Sequence, residues 1–490
     1  MSSYKPYRVE FRGTLAARSP LHAGSGVIWH PLTDSPVSRR DGTPFDAPIL
    51  AGTALKGVLR GHAARERYLL GIEELALQSL FGEQSGDESK QKGLGQGRVR
   101  VFDAARATGS PELVEEVRDH VRIEAEWGAA AREAKFDEEI VAGGTVFEFR
   151  CTYEGDGPND DELLLLRESL RALQAGELRC GAKSSIGYGR VELQGLRSRS
   201  YQRNQPEELK RFLRDRLTHS QEGFDNCLLE RAPAARPNLC WKDAPGPLSH
   251  FEFDVRLYFH GNFLSKDSLP PSGYPHADAI YFLSQGQPRL KGSSLRGVLR
   301  DRASHIQQSM GLKRERFDTL FGFANNDDSG RKSRLETWEG VYVPPQDGAR
   351  PELLLDHVAV DRISGFAADG AKFAGVALSA PAFDCGFRLS LTEDEADLLA
   401  LWGFVLRDLI EGFRLQAGWA VSRGYGEVAG AELRAVRISL VTAHGVVLPP
   451  QPAPPDRLRI ELGESRLEDL NWCWTQAQRA WERETLAQAG

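Results

Sequence analysis

No run of eighteen apolar residues occurs in this 490-residue chain, and Met1-Ser2-Ser3-Tyr4-Lys5-Pro6 lacks a basic stretch followed by an apolar core. Neither a membrane span nor a signal peptide is therefore expected, and a cytoplasmic location is the default. The six cysteines (Cys151, Cys180, Cys227, Cys240, Cys385 and Cys473) form no C-x-x-C pair, which argues against zinc sites and redox dithiols and leaves reduced thiols. Positive charge is not in excess either: 62 Lys and Arg face 69 Asp and Glu, for a net charge of -7. A chain that coats nucleic acid through bulk charge is excluded. Any nucleic-acid site must be a local groove, with acidic surface elsewhere available to protein partners.

What the chain does have is a repeat. Gly52-Thr53-Ala54-Leu55-Lys56-Gly57-Val58-Leu59-Arg60 returns as Gly292-Ser293-Ser294-Leu295-Arg296-Gly297-Val298-Leu299-Arg300, and Leu80-Phe81-Gly82 as Leu320-Phe321-Gly322, both at an offset of 240. The offset then becomes 237: Asp119-His120-Val121 matches Asp356-His357-Val358, Ala134-Lys135-Phe136 matches Ala371-Lys372-Phe373, and Gly187-Tyr188-Gly189 matches Gly424-Tyr425-Gly426. One three-residue length difference explains the change, so two copies of one domain stand in tandem. With 41% hydrophobic residues the chain can fill two cores.

Each copy opens with strand-like alternation (Tyr7, Val9, Phe11; Phe251, Phe253, Val255, Leu257), expected at a sheet centre. A Pro- and Gly-punctuated loop follows, then a helix start with Leu55, Val58, Leu59 or Leu295, Val298, Leu299 inward. Polar loops follow Gly82 and Gly322. Alternation resumes at Val99–Phe102 and Val341–Val343, and again at Phe147–Cys151 and Phe387–Leu391. A second helix closes each copy: Leu163–Leu173 in the first, and in the second a helix with a Thr392–Glu395 capping box and Leu398, Trp402, Val405, Leu409 on one face. The expected fold is α+β: two tandem ferredoxin-like palms of the kind RNA-recognition domains use, with long insertions. The expected boundaries are 1–195, a linker with a short basic helix over 196–248, 249–445, and a Pro-rich spacer with a terminal helix over 446–490. The linker helix, Pro206–Leu217, is expected to turn Leu209, Phe212, Leu213 and Leu217 inward. The terminal helix begins at a Ser465–Glu468 capping box and carries a Leu467, Leu470, Trp474, Trp481 stripe.

Two elements carry chemistry. Gly52-Thr53 and Gly292-Ser293-Ser294 place backbone N–H groups and hydroxyls at a helix N-terminus, where an anion is favoured, with Lys56, Arg60, Arg296 and Arg300 within two turns. The bland alternative is that the hydroxyls only cap the helix. The loops Arg179–Arg190 and Gln416–Gly426 offer glycines for close backbone approach: Gly181, Gly187, Gly189, Gly424 and Gly426. They add Lys183, Ser184, Ser185 and Arg423 for phosphate, and Tyr188 and Tyr425 for stacking on a base. The alternative is a glycine-rich turn with a core tyrosine.

These elements, with Leu-Phe-Gly, Val360-Asp361-Arg362-Ile363-Ser364-Gly365 and the closing Gly-Tyr-Gly loop, resemble the RAMP superfamily of CRISPR effector proteins, specifically the Cas-seven backbone subunits of type III systems. The tandem arrangement is similar to type III-D fusions. The resemblance implies a palm that grips guide RNA, and a thumb hairpin in each copy that splays a base from the guide–target duplex. His120, Lys135, Phe136, His357, Lys372 and Phe373 match the thumb region, where packing is the leading role for both histidines. The resemblance also implies target-RNA cleavage by an aspartate after the first strand, with Mg²⁺ or another divalent cation. Asp34 matches in copy one. Asp278 matches best in copy two, with Asp267 the alternative. His22 matches a position that shapes the loop. Expected partners are guide RNA, complementary target RNA and other effector subunits, and no membrane. A non-catalytic guide-RNA scaffold and a metal-independent guide-processing nuclease are the alternatives.

Overall fold

The computed structural model describes residues 5–25, 33–40, 47–82, 96–109, 115–124, 129–218, 220–227, 229, 249–266, 274, 277–311, 313–323, 330–346, 351–392, 395–413, 415–439 and 458–461. The two polar loops (83–89 and 324–329), the 232–247 linker, the Pro-rich spacer and the terminal helix lie outside them. The chain forms two compact units. One is Met1–His120 with Lys135–Ser184 and Tyr188–Pro245; the other is Val121–Ala134 with Ser185–Gly187 and Gly246–Gly490.

In the first unit an antiparallel sheet runs in the order Val99–Val101, Val146–Gly155, Tyr7–Ala17, Val191–Gln202, Asp225–Asn226. The opening strand is central, and its Val9, Phe11 and Leu15 are buried. Apolar alternation buries one face, and helices α1 (Gly52–Leu70) and α3 (Asp161–Gln174) supply Leu55, Leu59, Ala63, Leu163, Leu166 and Leu170 to the same core. Between them, the short α2 (Glu74–Phe81) buries Leu77, Leu80 and Phe81. A hairpin, Glu115–Glu124 with Ala129–Val141, is a sheet of its own inserted before Val146.

Helix α4 (Pro206–Leu217) has Pro206 in its first turn, as expected, but among its apolar residues only Phe212 is buried. Leu209, Leu213 and Leu217 are 37, 50 and 82% exposed, which corrects the expected four-residue inward face. The sheet surface beneath carries arginines rather than aliphatics. Phe212 meets Tyr201 edge-on at 5.1 Å and lies within 5.5 Å of the Arg8 and Arg203 guanidiniums, so one ring anchors the helix.

The second unit repeats the pattern. Its sheet runs Leu283–Ser284, Gln287–Leu290, Gly340–Val343, Ala382–Leu391, Ser249–His260, Glu427–Ser439, Leu458–Glu461, and Leu335–Thr337 also pairs with Ala382–Leu391. Helices α5 (Gly292–Ser309), α6 (Arg314–Phe321) and α7 (Ala396–Ile410) cover it. Leu398, Trp402, Val405 and Leu409 are buried as the periodicity requires, with Trp402 5.2 Å from Phe387. Glu395 accepts the Thr392 N–H at 3.1 Å, one half of the expected capping box. The inserted hairpin is Glu352–Val360 with Ala367–Ser379, extended by Asn262–Phe263 and Ala279–Ile280. In both copies the four principal strands lie in the order fourth, first, third, second with two helices on one face, which is the ferredoxin-like palm.

Candidate nucleic-acid interface

The two helix N-termini are built alike. Ala51 precedes α1 and Lys291 precedes α5 without a side-chain cap, so Thr53, Ser293 and Ser294 lie in the first turn rather than at the cap. Thr53 is exposed, and Ser293 and Ser294 are half-buried. Gly52 donates its N–H to Asp103 Oδ1 at 2.7 Å, and a Cβ there would come within 2.5 Å of Val101 O. Only glycine fits, and one N–H at this end is spent on the protein's own carboxylate. The Gly292 carbonyl accepts from Thr337 Oγ1 at 3.0 Å.

The four basic residues divide into two kinds. Lys56 is half-buried, and burial followed by the nearby Arg60 charge lowers its pKa. Arg60 donates to Gly82 O at 2.7 Å. Arg296 donates to Phe321 O, to Leu335 O at 2.8 Å and to Ser333 Oγ at 2.9 Å. Burial, with Arg300 adding to it, pushes its pKa down to about 10. Its side chain braces the helix to the Leu-Phe-Gly turn and is not free to take a phosphate. Arg300 is exposed, 5.5 Å from the Phe317 ring. Leu80, Phe81, Leu320 and Phe321 are buried, so the Leu-Phe-Gly repeat supplies core side chains and the carbonyls that receive Arg60 and Arg296.

Each glycine-rich loop is stitched to the segment after its opening strand. Ala182 N–H donates to His22 O and Gly189 N–H to Pro20 O, both at 2.8 Å; Trp419 N–H donates to Leu264 O at 2.6 Å and Gly426 N–H to Asn262 O at 2.8 Å. Gly181 and Gly189 (φ 86° and 81°) would drive a Cβ into His22 O and Cys180 O, and Gly426 (φ 69°) into Ala417 O. Short turns Ser184–Ile186 and Val421–Arg423 present Ser184, Ser185 and Arg423, followed by Gly187 (φ 93°) and Gly424 (φ 82°). Tyr188 and Tyr425 are only 3% exposed. They cannot stack on a base, and the core-tyrosine reading holds: Tyr425 OH lies 2.7 Å from His357 Nε2, and Arg118 sits 5.6 Å from the Tyr188 ring.

The hairpin residues pack in matching sets. His120 stacks on Phe136 at 5.2 Å and His357 on Phe373 at 4.9 Å. A loop cation covers each phenylalanine, Lys183 Nζ at 4.4 Å from Phe136 and Arg423 at 4.7 Å from Phe373. Lys135 pairs with Asp119 at 3.2 Å and Lys372 with Asp356 at 3.3 Å. In the second hairpin Asp361 Oδ1 accepts the Ile363 and Ser364 N–H groups at 3.0 and 2.7 Å, closing a turn that leaves Ile363 98% and Phe366 77% exposed.

At the hairpin roots the two candidate acids occupy equivalent places. Asp34 is exposed, and its Oδ2 accepts the Asp137 N–H at 3.0 Å. Asp278 is exposed, and its Oδ2 accepts the Ala374 N–H at 2.8 Å. Residues 137 and 374 correspond at the offset of 237. The next residues agree: Ser35 bridges Glu138 and Ala279 bridges Gly375, both parallel. Asp267, the alternative in copy two, lies outside the described residues.

A model of the RAMP superfamily matches residues 14–192 and 276–429, more than half of the chain and one region in each copy. The chain belongs to the RAMP superfamily. Membership makes it a CRISPR-associated RNA-binding protein, from a superfamily that includes some endoribonucleases and whose members join other effector subunits. No curated protein matches it. Among the described residues of this RAMP protein, no helix is long and apolar enough to cross a membrane.

The RAMP chain's first copy also holds functional groups that motif reading missed. Glu138, fully buried, accepts from Lys183 Nζ, and His120 Nε2 stands 2.6 Å from its other oxygen, close as an ion pair although the ring N–H is not aligned on it. Burial would raise the Glu138 pKa, but the His120 and Lys183 contacts outweigh it and hold the carboxyl down at about 2. His22 is buried, with Nδ1 2.7 Å from Glu139 O and Nε2 3.1 Å from Ser35 Oγ. A carbonyl only accepts, so Nδ1 carries the proton and Nε2 accepts from the hydroxyl. Copy two has no acid matching Asp137, Glu138 or Glu139, and that contrast between aligned copies is the sequence signal that could have found them.

Proposed function

We propose that this chain is a backbone subunit of a type III CRISPR effector that grips guide RNA with both palms and cuts complementary RNA beside each hairpin root. The observation that carries the reading is the shared seat of Asp34 and Asp278. Two exposed carboxylates, reached by loops of different length, each fix one oxygen on the same hairpin residue of their copy. Chance rarely places two surface acids so consistently, and a fixed, exposed acid is what cleavage of a backbone linkage requires.

The chemistry is in-line attack of a ribose 2′-hydroxyl on the adjacent phosphorus. The O2′–P bond forms, the P–O5′ bond breaks, and a 2′,3′-cyclic phosphate and a 5′-hydroxyl result. The exposed hairpin tip, with Ile363 and Phe366, would wedge into the guide–target duplex and turn one nucleotide towards that geometry. Among the described residues no group of three or more His, Cys, Asp or Glu could hold a metal unaided. Magnesium ordinarily takes one or two carboxylates and completes its shell with water and phosphate, which fits Asp34 in copy one and Asp278 in copy two. When bound there, the ion would neutralise charge developing on the phosphate. The protein's share is to fix the carboxylates, hold the guide on the Thr53, Lys56 and glycine-loop surfaces, and keep the hairpin root rigid.

The test assembles the complex with guide and labelled complementary RNA. It compares Asp34→Ala, Asp278→Ala and the double variant, each with and without EDTA. Loss of one product band per substitution, with chelator sensitivity, is expected. Unchanged cutting by the double variant overturns the nuclease reading and leaves a guide-RNA scaffold. Cleavage of guide precursor in EDTA supports a processing enzyme instead.

A further inference from the structure

We infer that three consecutive acids on the first hairpin, Asp137, Glu138 and Glu139, form a positioning ladder for the Asp34 loop that the second copy does not have. The inference rests on the function proposed above and names what holds its first cutting site. Each rung has its own partner. Asp137 Oδ1 accepts the Asp34 N–H at 2.7 Å while Asp137 N–H donates to Asp34 Oδ2 at 3.0 Å, a reciprocal pair. Glu139 Oε2 accepts the Val37 N–H at 3.0 Å, its Oε1 takes Arg39, and its carbonyl accepts from His22, which in turn holds Ser35. Glu138, between them, ties the hairpin root to Lys183 of the glycine-rich loop.

Alternate residues of a strand face opposite ways, so Asp137 and Glu139 share a face and Glu138 takes the other. That geometry lets one strand grip the Asp34 loop on one side and the glycine-rich loop on the other. The ladder satisfies the N–H groups of residues 34 and 37 and neutralises Arg39, which is 5% exposed at its side chain. Copy two carries Ala374, Gly375 and Val376 at these positions. There Asp278 is held by the Ala374 main chain, its N–H donating to Ala374 O at 2.8 Å, and by the short strand Ala279–Ile280 beside Gly375 and Val376. Copy one keeps one main-chain bond of that pairing, Glu139 N–H to Ser35 O at 3.0 Å, and adds the side-chain rungs.

The experiment uses the assembled complex and reads two signals. Hydrogen exchange at residues 34–38 should quicken about five- to tenfold in Asp137→Ala and in Glu139→Gln, the loss of roughly one hydrogen bond, while residues 278–281 stay unchanged. Single-turnover cutting at the first site should fall roughly 10- to 100-fold in Asp137→Ala, with guide binding and the second cut preserved. Asp137→Asn, which keeps the accepting oxygen, should restore both signals. Unchanged exchange overturns the ladder. An Asn variant as slow as the Ala variant also overturns it as a positioning device, because charge rather than the hydrogen bond would then be what matters. If Asp34→Ala cuts at the parental rate, the nuclease reading fails on its own, and the exchange result still decides whether the ladder holds the loop.

Discussion

Asp34 and Asp137 hold one another through two hydrogen bonds, 2.7 and 3.0 Å, each carboxylate accepting the other's backbone N–H. The pair separates placement from charge. Asp34→Asn keeps an oxygen for the Asp137 N–H and removes the negative charge, so the variant should fold and bind guide and target RNA as the parent does. Its first cut should slow by roughly 100-fold or more, and the second should not change. Single-turnover cleavage resolved by product length measures both. A first cut within twofold of the parent would show that the Asp34 charge is not needed.

Lys56 and Arg296 occupy the same repeat position but should fail in different ways. Lys56→Ala removes a cation close to the α1 N-terminus, so guide affinity should drop and the slope of log K against log salt should flatten by about 0.7 to 1. Arg296→Ala strips donors from Phe321 O, Leu335 O and Ser333. It should destabilise the second unit by ~3 kcal/mol with little change in salt slope. Filter binding at several salt concentrations, paired with thermal unfolding, distinguishes the two.

The duplication, the sheet-centre strands and the α7 face were legible because each is a periodicity of short range: an offset, an alternation, a helical stripe. Readings that depended on what lies opposite were not. The α4 leucines obey helical spacing, yet the surface under them is arginine-rich, so only Phe212 buries. A tyrosine between two glycines is locally ambiguous; His357, 68 residues before Tyr425, is what takes its hydroxyl into the interior. Arg296 reads as a phosphate ligand until its carbonyl partners, 25 and 39 residues on, are in place. Three acids in a row match no motif, and their partners Val37, Arg39 and Lys183 stand 45 to 102 residues away.

Acid should loosen the first hairpin root. Glu138 has a folded pKa of about 2 against an ordinary value of 4.5, so the stability it contributes is complete above pH 4.5 and is lost as pH falls towards 2. Glu138→Gln should remove that part of the acid transition, and the second copy, with Gly375 there, should lack it. Amide exchange of residues 135–141 between pH 5 and 3 reports the difference. Parallel loss of protection in parent and Glu138→Gln would contradict the assignment.

Gly424 and Gly426 stand two residues apart in one loop, both left-handed, with φ of 82° and 69°. An added Cβ meets nothing within 4 Å at Gly424 but collides with Ala417 O at Gly426. Gly424→Ala should therefore cost only the conformational penalty, ~1 to 2 kcal/mol, and leave the Gly426 N–H to Asn262 O stitch intact. Gly426→Ala must also move the carbonyl of Ala417, a residue whose own N–H donates to Gly426 O at 2.8 Å. It should cost well beyond that and reduce guide affinity together with stability. Equal melting temperatures for the two variants would mean that the close approach at Gly426, rather than its φ, contributes nothing to the fold.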